Sequence, residues 1–453
     1  MYKLFFDCAL LEEGWADRVL VTIANGTIQA VETGAKRPAL AVHVPGTAVP
    51  GVGNLHSHTF QRGFAGLTER RGNADDHFWT WRDAMYRFVG ALTPDDVEAI
   101  AAMAFVEMVE TGFTAVAEFH YLHHGPDGLP YADPAELSGR IVAAAAETGI
   151  GLTLLPVFYA HAGFGGLPPV VGQRRFVCDL DLFARLHASA GSAVNSLPVG
   201  GMGVAPHSLR AVTRDELLFL LSLHSRGPVH IHVAEQEREV LECLAATGMR
   251  PVDWLLAEVP VDERWCFIHA THMTSDEVQR FAQTGAVAGL CPITESNLGD
   301  GIFPATAFAA AGGRFGVGSD SNVLVSLPEE LRTLDYSQRL RDRARNLLAK
   351  PDRSSGRFLL DNAAKGGAQA LGLSTGAISE GNWADIVVLD TSHPALLGRS
   401  HDALLDSWIF AANRSPVDAV FIGGVQVVTE GRHRSRERVE ARFAQAVRRL
   451  ADI

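Results

Sequence analysis

Two histidines one residue apart, His56 and His58, close the apolar run NLHSH (54–58). Side chains on an extended strand repeat every second residue, so both imidazoles project from one face and can reach one ion. A pair of structural, hydrogen-bonded histidines would read the same way; the place of this pair at a strand end is what favours metal. The run HIHVAE (230–235) supplies His232 as a third nitrogen donor and Glu235 as an acid/base group turning off the strand beside it. His230, one layer deeper on the same face, reads as a hydrogen-bonded core histidine. GSDS (318–321) places Asp320 at a strand end, either as a fourth ligand that accepts the proton of bound water or as the N-cap of a following helix. His269 in FIHA (267–270) is placed to hydrogen-bond the nucleophile or the charge developing on the attacked carbon, and His272 reads as a supporting or surface residue. Three His and one Asp leave zinc an open position for a water whose pKa falls toward about 7, a nucleophile that needs no Ser or Cys. The chemistry this predicts is metal-assisted hydrolysis.

Eight short apolar segments alternate with helical stretches from residue 50 onward, the pattern of βα units on a parallel sheet. They are AVPGVGNLHSH (48–58), TGFTAVAEFHY (111–121), IGLTLLPVFYAH (150–161), LPVGGMGVAPHS (197–208), PVHIHVAE (228–235), RWCFIHATH (264–272), AVAGLCPITE (286–295) and RFGVGSDS (314–321). Eight is the number that closes a (β/α)8 TIM-like barrel, and polar residues at the strand ends belong at its C-terminal mouth. Residues 1–49 and 376–453 return to β character. Asn25-Gly26 between alternating apolar runs signals a hairpin, and an Arg-rich amphipathic helix ends the chain at 435–452. The expectation is an α/β protein whose barrel spans 50–375, with one small β-sandwich domain composed of both chain ends. The long connection 59–95 carries the run Phe78-Trp79-Thr80-Trp81, as lids and binding elements do.

The 453 residues carry 39 Lys and Arg against 52 Asp and Glu, a net charge of −13, which repels nucleic acid and anionic membrane surfaces. The five cysteines are widely spaced with no CxxC pair, so neither a disulfide framework nor a structural zinc site is expected, and a reducing cytoplasm fits best. The N-terminal apolar patch is too short for a signal segment and is followed by Glu12 and Glu13. No apolar stretch approaches the roughly 20 residues of a bilayer span.

Together HSH, HIHVAE, FIHA and GSDS resemble the aminohydrolase branch of the amidohydrolase superfamily, over nearly the whole chain. That resemblance implies one Zn2+ held by His56, His58, His232 and Asp320, catalysis by Glu235, His269 and Asp320, and no bridging lysine, of which none stands at the fourth strand. Fe2+ or Mn2+ would fit the same N/O ligands. The segments NLHSHTFQRGFAGL, DDHFWTWRDAMYR, TAVAEFHYLHH, YADPAELSGRI, HAGFGG, HSLRAVT and ESNLGDGIFPATAF resemble the formiminoglutamate deiminases within that superfamily. The implied reaction is deimination of N-formimino-L-glutamate to N-formyl-L-glutamate and ammonia, a step of histidine degradation, by a homodimer. Gln61, Arg82, Tyr121, His207 and Arg210 would line the site of this small anionic amidine. An acidic protein needs arginine forks to hold two substrate carboxylates; Arg62, Arg70 and Arg71 read as solvated. Gln61 and Tyr121 could equally serve packing, and Asn322-Val323 follow Asp320 where a side chain can alter its support. The rival reading keeps fold and metal and changes the substrate to a pterin, purine or triazine ring; a catalytically silent barrel that binds a metabolite is the rival from another class.

Overall fold

Runs rich in Val, Leu, Ile and Phe with no polar alternation must be covered on both faces, and they form the centre of the protein. The structure is a computed structural model and describes residues 1–69 and 77–451. Strands Val52–Ser57, Phe113–His120 and Gly151–Phe158 are buried along their whole length. They pair in parallel, and Gly151–Phe158 is followed by the two fragments Gly200–Met202 and Ala205–Pro206. A second parallel sheet orders Val229–Val233, Trp265–His269, Val287–Leu290 and Arg314–Val317.

The two sheets meet at two seams. At one, parallel bridges join Val204 to Val229 and Ser208 to His232. At the other, Ser57 bridges Asp320, the Asp320 N–H donates to the His56 carbonyl at 2.9 Å, and the His58 N–H donates to the Asp320 carbonyl at 2.9 Å. The second seam lays the HSH run directly against the GSDS run.

Helices cover these sheets and begin and end where the sequence dictates. Thr93 and Asp96 form a reciprocal capping box ahead of Pro94–Thr111, and Gly112 ends that helix at φ 109°. Thr213 with Glu216 and Thr274 with Glu277 start two further helices in the same way. Among the described residues no helix is long and apolar enough to cross a membrane.

Both chain ends join one mixed eight-stranded sheet. Its order is Arg432–His433, Val425–Thr429, Val417–Ile422, Ile386–Leu389, Val42–Pro50, Tyr2–Leu11, Gly14–Ala24, Thr27–Glu32. Asn25 and Gly26 make the predicted tight turn, with φ of 52° and 82°. A separate apolar cluster that includes Leu4, Phe6, Val21, Val44, Ile386 and Phe421 lies on this sheet. The closing helix, Arg436–Leu450, fixes the C-terminus to the helix Pro94–Thr111 through Arg436 to Glu110 at 2.8 Å, Arg442 to Glu98 at 3.1 Å, and Arg449 to Asp96.

Four sequence expectations shift. Residues 48–50 belong to the terminal sheet, because the extended chain breaks at Gly51 before Val52 begins the next strand. The segment 286–295 is a strand only to Leu290; Pro292, at a first-turn position that tolerates a missing N–H, opens a helix over Pro292–Leu298. The connection 59–95 contains a 3-10 turn, Thr59–Phe64, and a helix, Phe78–Val89. Strand pairing of the chain ends runs as one sheet rather than two.

Close approach at the second seam depends on Gly318, where an added Cβ would lie 2.7 Å from the backbone N and O of His56. Backbone atoms at that distance cannot give way as a side-chain tip does. Gly318→Ala is expected to lower unfolding stability by at least about 1–3 kcal/mol, measured by denaturant titration; unchanged stability would mean the seam is not tightly packed.

Candidate metal centre and active site

The donors converge where the strands end. His56, His58, His232 and Asp320 are all buried, and their ligand atoms lie within 4.8 Å of one another. The Nε2 of His56 is 3.2 Å from that of His58 and 3.0 Å from that of His232, while Asp320 Oδ1 is 3.3 Å and 3.2 Å from the Nε2 atoms of His56 and His58. A carbonyl only accepts, so Nδ1–H of His58 donates to the Phe119 carbonyl at 2.8 Å and Nδ1–H of His232 to the His207 carbonyl at 3.0 Å. Both rings therefore point a bare Nε2 lone pair at the common centre. Burial also pushes His56 down to about 3 and His232 well below its ordinary range, which favours the neutral form of these two rings. Neutral nitrogens and a carboxylate packed this closely suit a divalent cation of the zinc class.

Asp320 is not a helix cap. The next helix begins at Leu327 behind Ser326, and the Asp320 backbone instead turns at φ 45° to aim its carboxylate at the histidines. Ala234, His269, Ala270 and Asn322 also have φ between 48° and 68°. Non-glycine residues avoid this region, and their gathering at the strand ends that carry the donors marks where the fold stores strain.

Fully buried Asn322 supports the Asp320 turn. Its Oδ1 accepts from Ser319 Oγ at 2.6 Å, and its Nδ2 donates to the Asp320 carbonyl at 2.9 Å and to Ser57 Oγ at 3.1 Å. Asn54 completes the network, donating to Ser319 Oγ at 2.7 Å and accepting the Ser319 N–H at 3.1 Å. Asn322→Ala would leave buried hydroxyls and a carbonyl unmatched. Metal affinity is expected to fall about 10- to 100-fold, read by competition with a chromophoric chelator; equal affinity would show that Asn322 does not position Asp320.

Glu235 and His269, the candidate acid/base groups, face the same centre. Glu239 accepts the N–H groups of Ala234 and Glu235 at 3.0 and 3.2 Å, fixing the turn that presents Glu235. Burial raises the Glu235 carboxyl above its ordinary range, against the opposing pull of His269 and Arg210. Its Oε1 is 3.8 Å from His269 Nε2, and that nitrogen is 3.8 Å from Asp320 Oδ2. Glu295, which the sequence reading passed over, lies behind His269 with Oε1 3.3 Å from Nδ1. Burial pulls the His269 imidazole down, but the Glu235, Glu295 and Asp320 carboxylates outweigh it and hold it up to about 10.

A cavity opens over this centre, lined by Gln61, Arg82, Tyr121, His207 and Arg210 together with His58, His232, Glu235, His269 and Asp320. Gln61 Nε2 donates to the Tyr121 hydroxyl at 2.8 Å, so the two act as one polar wall. Tyr86, Tyr159 and Phe176 also line it and were not anticipated; Tyr159, at the end of VFY, could have been found by the strand-end rule applied elsewhere. Among the described residues no carboxylate lies within ion-pairing distance of Arg82 or Arg210, and Arg82 Nε and Arg210 Nη1 are buried without a partner. Arg62 is not solvated: it pairs with Glu107 at 2.7 Å. Arg70 and Arg71 lie outside the described residues. His230 donates Nε2–H to the Ala370 carbonyl at 2.8 Å, and His272 donates Nε2–H to the Asp300 carbonyl at 2.7 Å.

Comparison with known proteins bears on this site. Residues 47–427 match the amidohydrolase family, and residues 2–39 match the N-terminal domain of formimidoylglutamate deiminase HutF. Formimidoylglutamate deiminase of Pseudomonas aeruginosa is 51% identical over 100% of both chains. An 8-oxoguanine deaminase of the same species is 28% identical over 84% of this chain and 82% of its own. The crystal structure of an amidohydrolase from Brucella melitensis superposes with a TM-score of 0.96 at 50% identity over 100% of both chains. An adenosine deaminase from Xanthomonas campestris with bound zinc, at 23% identity, shares the fold with a TM-score of 0.83 over 100% of this chain and 99% of its own.

Proposed function

The chain belongs to the amidohydrolase family and, within it, to the formimidoylglutamate deiminases, and on that premise we propose that it deiminates N-formimino-L-glutamate hydrolytically, giving N-formyl-L-glutamate and ammonia in histidine degradation. The observation that carries the substrate is the pair of guanidiniums, Arg82 and Arg210, that reach the cavity with no carboxylate within ion-pairing distance among the described residues. A substrate with two carboxylates supplies the missing charge. A neutral purine or triazine ring would leave both cations unpaired, which disfavours the ring-deaminase reading.

As part of the same reading, the eight strands joined at two seams form a closed (β/α)8 barrel over 50–375. The terminal sheet, 1–49 with 376–453, is its small companion domain. His56, His58, His232 and Asp320 would hold one zinc ion, which would acidify water enough to make it a nucleophile near neutral pH. Asp320, through the carboxylate oxygen turned toward His269, takes a proton from the attacking water. The water oxygen bonds to the formimino carbon as its C=N π pair moves onto nitrogen. Glu235 delivers its proton to that nitrogen and the proton held by Asp320 follows it, and the C–N bond breaks to release ammonia as the adduct's hydroxyl returns a proton to Glu235 and the new carbonyl forms. His269, held by Glu295, donates Nε2–H to the oxygen in the tetrahedral adduct. Gln61, Tyr121 and His207 shape the wall that keeps the amidine against these groups.

The test is ammonia release from N-formimino-L-glutamate by the purified protein, with metal content determined on the same sample and Asp320→Asn as control. Release that the variant abolishes supports the reading. Absence of release from zinc-replete protein overturns the substrate assignment.

A further inference from the structure

Resting on that substrate reading, we propose that Trp79 is the positioning residue that sets specificity for dicarboxylates, by holding the two cavity arginines in place from behind. Trp79 is absent from the described cavity lining, whereas Arg82 and Arg210 belong to it. The Arg82 guanidinium carbon lies 4.5 Å from the Trp79 ring centroid and that of Arg210 5.6 Å, while Arg238 stacks at 4.4 Å. Three cations thus share one indole.

The arrangement solves a physical problem that the empty cavity poses. Arg82 and Arg210 come from different parts of the chain, the helix Phe78–Val89 and the segment after Ala205–Pro206. Their charges reach the same neighbours: both help depress His207, after burial itself, and both act on Tyr159. Two like charges this close repel, and neither has a carboxylate partner among the described residues. An aromatic face attracts cations through its quadrupole without neutralising them. It therefore restrains both arginines while leaving their N–H groups, including the unpartnered Arg82 Nε and Arg210 Nη1, free for a ligand. A carboxylate in the role of Trp79 would fill those donors itself. Indole also carries the stronger cation attraction of the aromatic side chains, and Tyr86 adds a second ring 5.6 Å from Arg82. Arg238 differs from the other two: its guanidinium is largely exposed and paired with Glu242 at 2.6 Å, so it covers the outer side of the indole rather than the cavity.

The experiment compares the intact zinc-loaded protein with Trp79→Leu and Trp79→Phe, using N-formimino-L-glutamate and the monocarboxylate N-formimino-γ-aminobutyrate. Trp79→Leu is expected to raise KM for the dicarboxylate about ten-fold or more with kcat within about two-fold, to change KM for the monocarboxylate far less, and to leave metal content unchanged. Trp79→Phe is expected to restore most of the loss. Equal effects on both substrates, or a fall in kcat with metal loss, would overturn the proposal. Glutarate binding by calorimetry gives a readout independent of turnover: weaker binding in Trp79→Leu supports the positioning role even where the deiminase reading fails, and unchanged binding overturns it.

Discussion

Replacing Glu235 with glutamine is expected to cut kcat for ammonia release by about 10²- to 10⁴-fold while the protein keeps its metal. Glutamine has nearly the same shape and can still accept hydrogen bonds, but it has no proton to give or take in the reaction. Ala234 and Glu235 present their N–H groups to Glu239, so the turn survives the change. The donor set of three histidines and Asp320 does not include Glu235. Loss of rate with full metal content is thus the signature of a proton carrier, and steady-state assay beside metal analysis reads both. Ammonia release at the wild-type rate would remove Glu235 from the mechanism.

Arg210→Ala is expected to reduce kcat/KM by about 30-fold to several thousand-fold, the range that follows when one member of a buried, hydrogen-bonded charge pair is lost at 2–5 kcal/mol. Arg210 is 8% exposed and forms no ion pair among the described residues. The substrate carboxylate would face a desolvated pocket with half its cation field gone. Arg210→Lys restores the charge but not the planar fork, and should recover only part of the loss. A change below about three-fold in kcat/KM would mean that the substrate carboxylates sit elsewhere.

Much of the centre was legible because its signals are local. HSH, HIHVAE and GSDS each carry their donors within a few residues, and strand periodicity says which side chains share a face. What one-dimensional reading left open was geometry. Asp320 could cap or ligate; the start of the next helix at Leu327, the φ of 45° and the 3.3 Å to His56 speak against the cap. Arg62 looked like Arg70, yet its partner Glu107 is 45 residues away in sequence. Glu295 was read as the end of a strand, and the turn at Pro292 that swings it behind His269 follows from packing. The Asn54, Ser319 and Asn322 network joins positions 265 residues apart, so no window in the sequence contains it. The eight-strand alternation was visible, while the pairing of both chain ends into a single sheet depends on contacts of residues 42–48 with 4–9 and of 47–50 with 386–389.

That shared sheet has a consequence for how the protein is made. Val42–Pro50 pairs on one side with Tyr2–Leu11 and on the other with Ile386–Leu389. A ribosome adding about 5–20 residues per second takes on the order of 20 to 70 s to travel from one to the other. Throughout that interval the nascent N-terminal sheet has an open edge of unpaired N–H and C=O groups, the kind of edge that recruits foreign strands. The strand that closes it is followed by a helix whose arginines lock onto Pro94–Thr111. Arrival of Ile386–Leu389, long after the parallel strands are made, is therefore the moment at which this edge is covered.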